Sequence, residues 1–150
     1  MPAFQDYIDA MEAFNRYGVA YLVVGAYAMG NFGYTRYTHD IDLWVEKSEE
    51  NGKKVVRALE EFGIPFAIEP EEFTADYSVI QIGVAPMRID ILTDIDGVTF
   101  EEAWENRVEG KILGVDTSII CLSDLIRNKR ASNRVKDKLD AAQLEALKKK

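Results

Sequence analysis

The chain has 150 residues, of which 47% are hydrophobic and 29% charged, with one cysteine and a formal net charge of −8. This composition is typical of one globular domain and excludes a disordered chain. A single cysteine excludes an internal disulfide and a zinc site built on cysteines. Residues 1–7 carry no basic stretch, and no apolar run approaches the roughly 20 residues that cross a bilayer. We therefore expect a cytoplasmic protein with no signal peptide and no membrane partner.

The charge is unevenly distributed along the chain. Residues 127–150 contain nine Lys/Arg and three Asp/Glu, a net charge of +6, which leaves −14 on the first 126 residues. An acidic body argues against a protein that grips a polyanion with its whole surface. We expect the basic segment to act on phosphates of a substrate or acceptor, with residues 148–150 as a solvated end.

Hydrophobic periodicity and turn residues predict helices that alternate irregularly with strands. In the first half they predict a helix from Phe4 that ends before Gly18, a strand at 19–24, a short helix from Gly25 to about 30–33, a strand at 41–45 and a helix between Ser48 and Gly63. In the second half they predict strands at 78–82 and 87–92, a short helix opened by a Thr99–Glu102 capping box, a hairpin at 111–121, and helical structure from Ser123 or Asp124 to Leu147 with a break near Ser132. This order predicts a single domain over 1–150, of α/β or α+β class, with a small mixed β-sheet flanked by helices.

Two aspartates one residue apart open the strand predicted at 41–45. Asp40 and Asp42 point to the same face because side chains alternate along a strand, whereas Ile41 turns into the core. Two carboxylates this close repel each other unless a cation lies between them. Oxygen ligands favour Mg²⁺ or Mn²⁺, with substrate phosphates completing the coordination.

A third acid, Asp90, lies inside the strand predicted at 87–92. Its neighbours Ile89 and Ile91 face the opposite side, and an acid within a core-forming strand is rarely placed there for packing alone. A third carboxylate is needed if two metal ions are to be held about 4 Å apart for in-line phosphoryl transfer. The three acids together therefore indicate a metal site, which a lone Asp-x-Asp would not.

Structural alternatives remain for these residues. Asp40 and Asp42 fit a cap or turn before a strand, and Asp90 fits an edge strand that faces water. The second Asp-Ile-Asp, at 94–96, is followed by glycine and predicts a turn. His39, the only histidine, is predicted to be a rim residue that points away from the neighbouring acids.

The stretch from Gly25 to Val45 resembles the signature of the DNA polymerase β-like nucleotidyltransferases, in which a Gly-Gly or Gly-Ser pair precedes an Asp-x-Asp. The stretch from Arg36 to Leu43, which includes Thr38, is similar to the minimal nucleotidyltransferases and the related toxin-type branch. Members of these groups often act in toxin–antitoxin or abortive-infection systems. Residues 124–140 resemble the C-terminal motif of that branch.

The resemblance implies a nucleotidyltransferase-like fold and the transfer of a nucleoside monophosphate from a nucleoside triphosphate (NTP) to a hydroxyl acceptor. The acceptor would be a protein, an RNA or a small molecule. Asp40 and Asp42 would bind both metal ions, and Asp90 would be the third ligand and the base. A glycosyltransferase that uses Asp-x-Asp has the same metal chemistry, but 150 residues are few for its larger fold and Asp90 would have no role.

The resemblance also implies a set of residues that bind the nucleotide, with Gly25 admitting the phosphates and Lys129 and Asp137 lining the cleft. The predicted binding residues are Gly25, Ala26, Arg36, Thr38, Lys129, Lys136 and Asp137. Lys129 and Lys136 are seven residues apart and share a face if their helix is continuous; a solvated helix face is the alternative. Ala26 stands where the family has glycine or serine. This departure favours a second hypothesis, a catalytically weak nucleotide-binding module or toxin–antitoxin partner protein of the same fold.

Overall fold

The computed structural model describes residues 4–149, in which six helices flank one six-stranded mixed sheet. The helices are α1 (Gln5–Arg16), α2 (Gly25–Asn31), α3 (Glu49–Phe62), α4 (Phe100–Glu105), α5 (Leu122–Ala131) and α6 (Val135–Lys148). The strands are β1 (Tyr21–Val24), β2 (Asp40–Val45), β3 (Val79–Ile82), β4 (Arg88–Leu92), β5 (Val108–Ile112) and β6 (Val115–Ile119). A short 3-10 helix, Pro70–Phe73, follows α3. The predicted α/β class with a mixed sheet is confirmed.

The ends of the chain are described only in part. Residues 1–3 lie outside the described residues; they belong to the segment in which we expect no signal peptide. Lys150, part of the predicted solvated end, also lies outside them. Between residues 4 and 149, no helix is both long and apolar enough to cross a membrane.

The strand order is β3-β4-β2-β1-β6-β5, which places β2 and β4 next to each other in the interior of the sheet. These two strands are parallel, and their register pairs Asp42 with Asp90 and Asp40 with Arg88. β1 runs antiparallel to β2 on its other side. Because β3 covers the outer side of β4, Asp90 is not on an edge strand, and that alternative is wrong.

Local capping chemistry sets the helix ends as predicted. The Ser48 hydroxyl accepts a hydrogen bond from the backbone N–H of Asn51 at 3.1 Å and caps α3, which ends at Gly63 in the left-handed conformation. Thr99 and Glu102 form the reciprocal capping box of α4. These interactions satisfy backbone groups that the first and last turns of a helix leave unpaired.

The core lies under the interior strands and is closed by α1 and α3, which pack against each other. Trp44 of β2 is fully buried, and its indole N–H donates to the carbonyl of Thr93 at 3.2 Å. The apolar residues that precede and follow Asp42 in β2 are buried. Their packing fixes the strand and therefore the positions of its two acids.

Several predicted boundaries are shifted. β1 begins two residues later than expected, β5 begins at Val108 and not at 111, and α5 begins at Leu122. The break near Ser132 is confirmed and separates α5 from α6, because Ser132 has an extended backbone and its hydroxyl accepts from the N–H of Arg134 at 3.1 Å. Lys129 and Lys136 therefore lie on two separate helices and do not share one helix face.

Candidate metal and nucleotide site

Asp40, Asp42 and Asp90, which we call the acidic trio, converge at one place on the sheet. One carboxylate oxygen from each residue lies within 4.8 Å of the other two. Asp90 is 6% exposed, while Asp40 and Asp42 are partly buried. The parallel register of β2 and β4 creates this proximity, because it sets Asp42 directly beside Asp90. The structure thus brings together the three acids that the sequence predicts as metal ligands.

A basic residue that the sequence prediction left out of the site, Arg88, bridges two members of the acidic trio. Its guanidinium donates to both oxygens of Asp90, at 2.7 and 3.0 Å, and to Oδ2 of Asp40 at 2.8 Å. Arg88 precedes Asp90 by two residues and so lies on the same face of β4. This spacing indicates from the sequence that Arg88 lies beside Asp90, but the contact with Asp40 depends on strand pairing.

Asp42 is the least compensated member of the acidic trio. Burial, followed by the charges of Asp40 and Asp90, raises the pKa of Asp42 to about 7, against the opposing effect of Lys129 and Arg88. Within residues 4–149, no hydrogen bond to the Asp42 side chain is formed. Hard oxygen ligands that repel one another fit Mg²⁺ or Mn²⁺, because a divalent cation would remove the repulsion.

Gly25 is required beside Asp42 by geometry. Its φ angle of +70° lies in the left-handed region, and a Cβ atom at this position would overlap Oδ2 of Asp42. The glycine that follows β1 and begins α2 therefore lets the backbone approach Asp42 closely. This close approach is to a carboxylate of the acidic trio; the predicted role of Gly25 in admitting the phosphates stays a prediction.

Two clefts open beside Asp42, which lines both; Asp40 lines the first cleft, and Asp90 lines neither. The first cleft, about 330 Å³, is lined by residues from the 25–42 segment, from the 85–88 turn and from α5–α6. The predicted residues in its wall are Gly25, Ala26, Arg36, Thr38, Asp40, Asp42, Lys129 and Lys136. The second cleft, about 470 Å³, shares Gly25 and Asp42 with the first, and Asp137 is in its wall. All predicted nucleotide-binding residues therefore lie around one acidic centre.

Lys129 is buried and ion-paired. Its side chain lies in the interior, and Nζ is 3.1 Å from Oδ1 of Asp137 and 3.6 Å from Oδ2 of Asp140. The alternative that it belongs to a solvated helix face is wrong. Lys136, by contrast, is exposed, so the two lysines reach the first cleft from different helices and not from one face.

The carboxylates of α6 neutralise other cations around the clefts. Asp137 accepts from Arg134 at 2.8 and 3.1 Å and from the Ser132 hydroxyl at 2.6 Å, while Asp140 pairs with Arg36. Burial would raise the pKa of Asp137, but the hydrogen bonds from Arg134 and Ser132 hold it well below its usual range. Asp137 and Asp140 are already counted in the net charge of +6 for residues 127–150, so these pairs leave that net charge unchanged.

The remaining predicted residues have local roles. Thr38 Oγ1 donates to the carbonyl of Asp40 at 3.2 Å and stabilises the turn before β2. His39 is exposed at the rim, with its ring 4.8 Å from that of Tyr37, as predicted. The 94–96 repeat is the predicted turn, in which Asp94 contacts Lys47 at 2.8 Å.

Comparison with known proteins does not assign this chain to a family. No model of a known protein family matches the chain, and no curated protein sequence matches it either. The functional interpretation therefore depends on the geometry of the site and on the sequence resemblance.

Proposed function

We propose that this protein is a metal-dependent nucleotidyltransferase that transfers a nucleoside monophosphate from an NTP to a hydroxyl acceptor. The observation that carries the proposal is the acidic trio, held by two paired strands, with Asp42 in the wall of both clefts. Mg²⁺ or Mn²⁺ bound there would neutralise the triphosphate and activate the acceptor hydroxyl. In the reaction, the acceptor oxygen forms a bond to the α-phosphorus, the bond from the α-phosphorus to the bridging oxygen breaks, and pyrophosphate leaves.

The residues of the first cleft are suited to hold the phosphates. Arg36, Lys129, Arg134 and Lys136 all line it, next to Asp40 and Asp42; Lys136 is exposed, whereas the other three pair with Asp137 or Asp140. Charge-assisted hydrogen bonds from such cations orient phosphate oxygens, and guanidinium groups do so in a bidentate manner. We assign Asp90 as the group that accepts the proton of the acceptor hydroxyl, a role that the family resemblance suggests. The cytoplasm, where Mg²⁺ and NTPs meet, is the compartment we propose.

A second candidate function is a nucleotide-binding module, with weak catalysis, that works with a cognate partner protein. Ala26 favours this candidate because it lines the first cleft where the family has glycine or serine. Alanine lacks the hydroxyl that serine would offer as a ligand, and its methyl group restricts the backbone more than glycine does. The complete acidic trio favours the enzyme.

The two candidates are separated by incubation with NTPs labelled at either the α- or the γ-phosphate, with Mg²⁺ and a cell extract that supplies protein, RNA and small-molecule acceptors. We expect the α-label on an acceptor and the γ-label in pyrophosphate. Asp42→Asn should abolish the transfer, whereas Asp116→Asn, at a site 85% exposed on β6, should retain it.

Three other outcomes would change the assignment. The γ-label on an acceptor would mean phosphoryl transfer. Saturable NTP binding without transfer would support the second candidate, and no NTP binding would exclude both.

A further inference from the structure

Arg88 occupies the oxygens that a metal ion would need. Both oxygens of Asp90 and Oδ2 of Asp40 accept hydrogen bonds from its guanidinium, at 2.7 to 3.0 Å. The other oxygen of Asp40 lies 3.3 Å from Thr38 Oγ1. Among the carboxylates of the acidic trio, only Asp42 therefore has both oxygens free of hydrogen bonds within residues 4–149.

The position of Arg88 is built into the sheet. Strand register sets it opposite Asp40, and strand alternation sets it on the same face as Asp90. A planar guanidinium has five N–H donors and matches two carboxylates at once. Three carboxylates so close together need a cation, and Arg88 supplies one in the absence of metal.

A second position, facing the first cleft, is open to the Arg88 side chain. Its side chain is 29% exposed and lines the first cleft, where the phosphates of the proposed substrate would lie. A guanidinium that leaves the carboxylates can therefore bind phosphate oxygens without crossing the core.

We propose that Arg88 is a built-in counter-ion that competes with divalent metal for Asp40 and Asp90 and turns toward the triphosphate when metal and nucleotide bind together. This inference rests on the proposed function. Metal alone must displace Arg88 from three hydrogen bonds, whereas metal with nucleotide gives the guanidinium a new partner. The two ligands therefore bind cooperatively, and by linkage each raises the affinity of the other by the same factor.

The test measures Mn²⁺ affinity by electron paramagnetic resonance, with and without a non-hydrolysable NTP analogue. Arg88→Met removes the guanidinium and keeps an apolar stem, and Arg88→Gln is a second neutral variant that keeps hydrogen-bond donors. We expect both to bind Mn²⁺ alone roughly 10- to 100-fold more tightly than the wild type, the range for loss of a competing charge-assisted pair. The gain in Mn²⁺ affinity on adding the analogue should shrink in both. Without metal, both variants should melt at a lower temperature than the wild type.

Arg134→Met is the matched control for metal affinity, because Arg134 also lines the first cleft but pairs with Asp137 and not with the acidic trio. It removes the same charge nearby and should change the affinity for Mn²⁺ alone by no more than roughly threefold, the effect of a screened charge. If Arg134→Met raised the affinity for Mn²⁺ as much as Arg88→Met, the effect would be one of general electrostatics and the inference would be overturned.

The remaining outcomes are distinct. Unchanged or weaker Mn²⁺ binding in the Arg88 variants would mean that Arg88 orients the acids and does not compete, which overturns the inference and leaves the proposed function standing. A wild-type protein that binds no Mn²⁺, with or without the analogue, would overturn both.

Discussion

Replacing Asp42 with asparagine should stabilise the metal-free protein. The side chain is held near two other carboxylates, and burial with their charges raises its pKa from 3.8 to about 7. At roughly 1.4 kcal/mol per pH unit, this difference corresponds to an upper bound of about 4 kcal/mol of destabilisation when the group is ionised. Asparagine keeps the size of the side chain and removes the charge. The free energy of unfolding should therefore rise by up to this amount at pH 8.

The effect should depend on pH with a definite sign. Because the folded-state pKa of Asp42 is raised, the folded wild type binds more protons than the unfolded chain between about pH 4 and pH 7. The contribution of this group therefore lowers the stability of the wild type as the pH rises through that window. The advantage of Asp42→Asn should be at most about 4 kcal/mol at pH 8 and below about 1 kcal/mol at pH 4.

Urea denaturation in EDTA at pH 4, 6 and 8 measures these differences directly. Asp116→Asn is the control, since Asp116 is exposed on the β5–β6 hairpin and pairs only with Lys111 among the described side chains. Adding Mg²⁺ should raise the stability of the wild type and of the control but not that of Asp42→Asn, because only a folded site with all its ligands binds the ion. If Asp42→Asn is less stable than the wild type at pH 8 in EDTA, Asp42 contributes a favourable interaction and the reasoning is refuted.

Other expectations concern the loop, the first cleft and pH. Gly25→Ala should lower Mn²⁺ affinity at least about tenfold in a titration, because its Cβ overlaps the Asp42 carboxylate, and unchanged affinity would contradict that contact. Ala26→Gly should preserve or improve NTP affinity and Ala26→Val should abolish it, whereas equal affinity in all three proteins would mean that the loop does not meet the triphosphate. Lys136→Ala should weaken NTP binding and flatten its salt dependence, while deletion of 148–150 should do little; the reverse result would place the contact in the tail. Mg²⁺ affinity should fall about tenfold per pH unit below pH 7 as a proton competes for Asp42, and a flat profile from pH 5 to 8 would contradict this.

Features decided by neighbouring residues could be predicted from the sequence. The Ser48 cap, the left-handed Gly63 and the alternation that puts Asp40 and Asp42 on one face are consequences of local geometry. The Asp90 strand could be recognised because an acid between two isoleucines has a period of two. The mixed class of the domain followed from the order of these elements.

Features decided by long-range contacts could not be predicted. The pairing of Asp42 with Asp90 joins residues 48 positions apart and depends on the strand order of the sheet. The contact of Arg88 with Asp40 depends on the same register. The sequence left Lys129 open between a cleft residue and a solvated helix face, because its burial depends on how α6 folds back after the break.

The most direct test of the metal site is anomalous X-ray scattering at the manganese edge, from crystals grown with Mn²⁺ and a non-hydrolysable NTP analogue. We predict manganese in contact with Asp40, Asp42 and Asp90, phosphates in the first cleft, and the Arg88 guanidinium turned from the carboxylates to the phosphates. Bound analogue with no manganese at the three acids, and with Arg88 still bridging Asp40 and Asp90, would contradict the account.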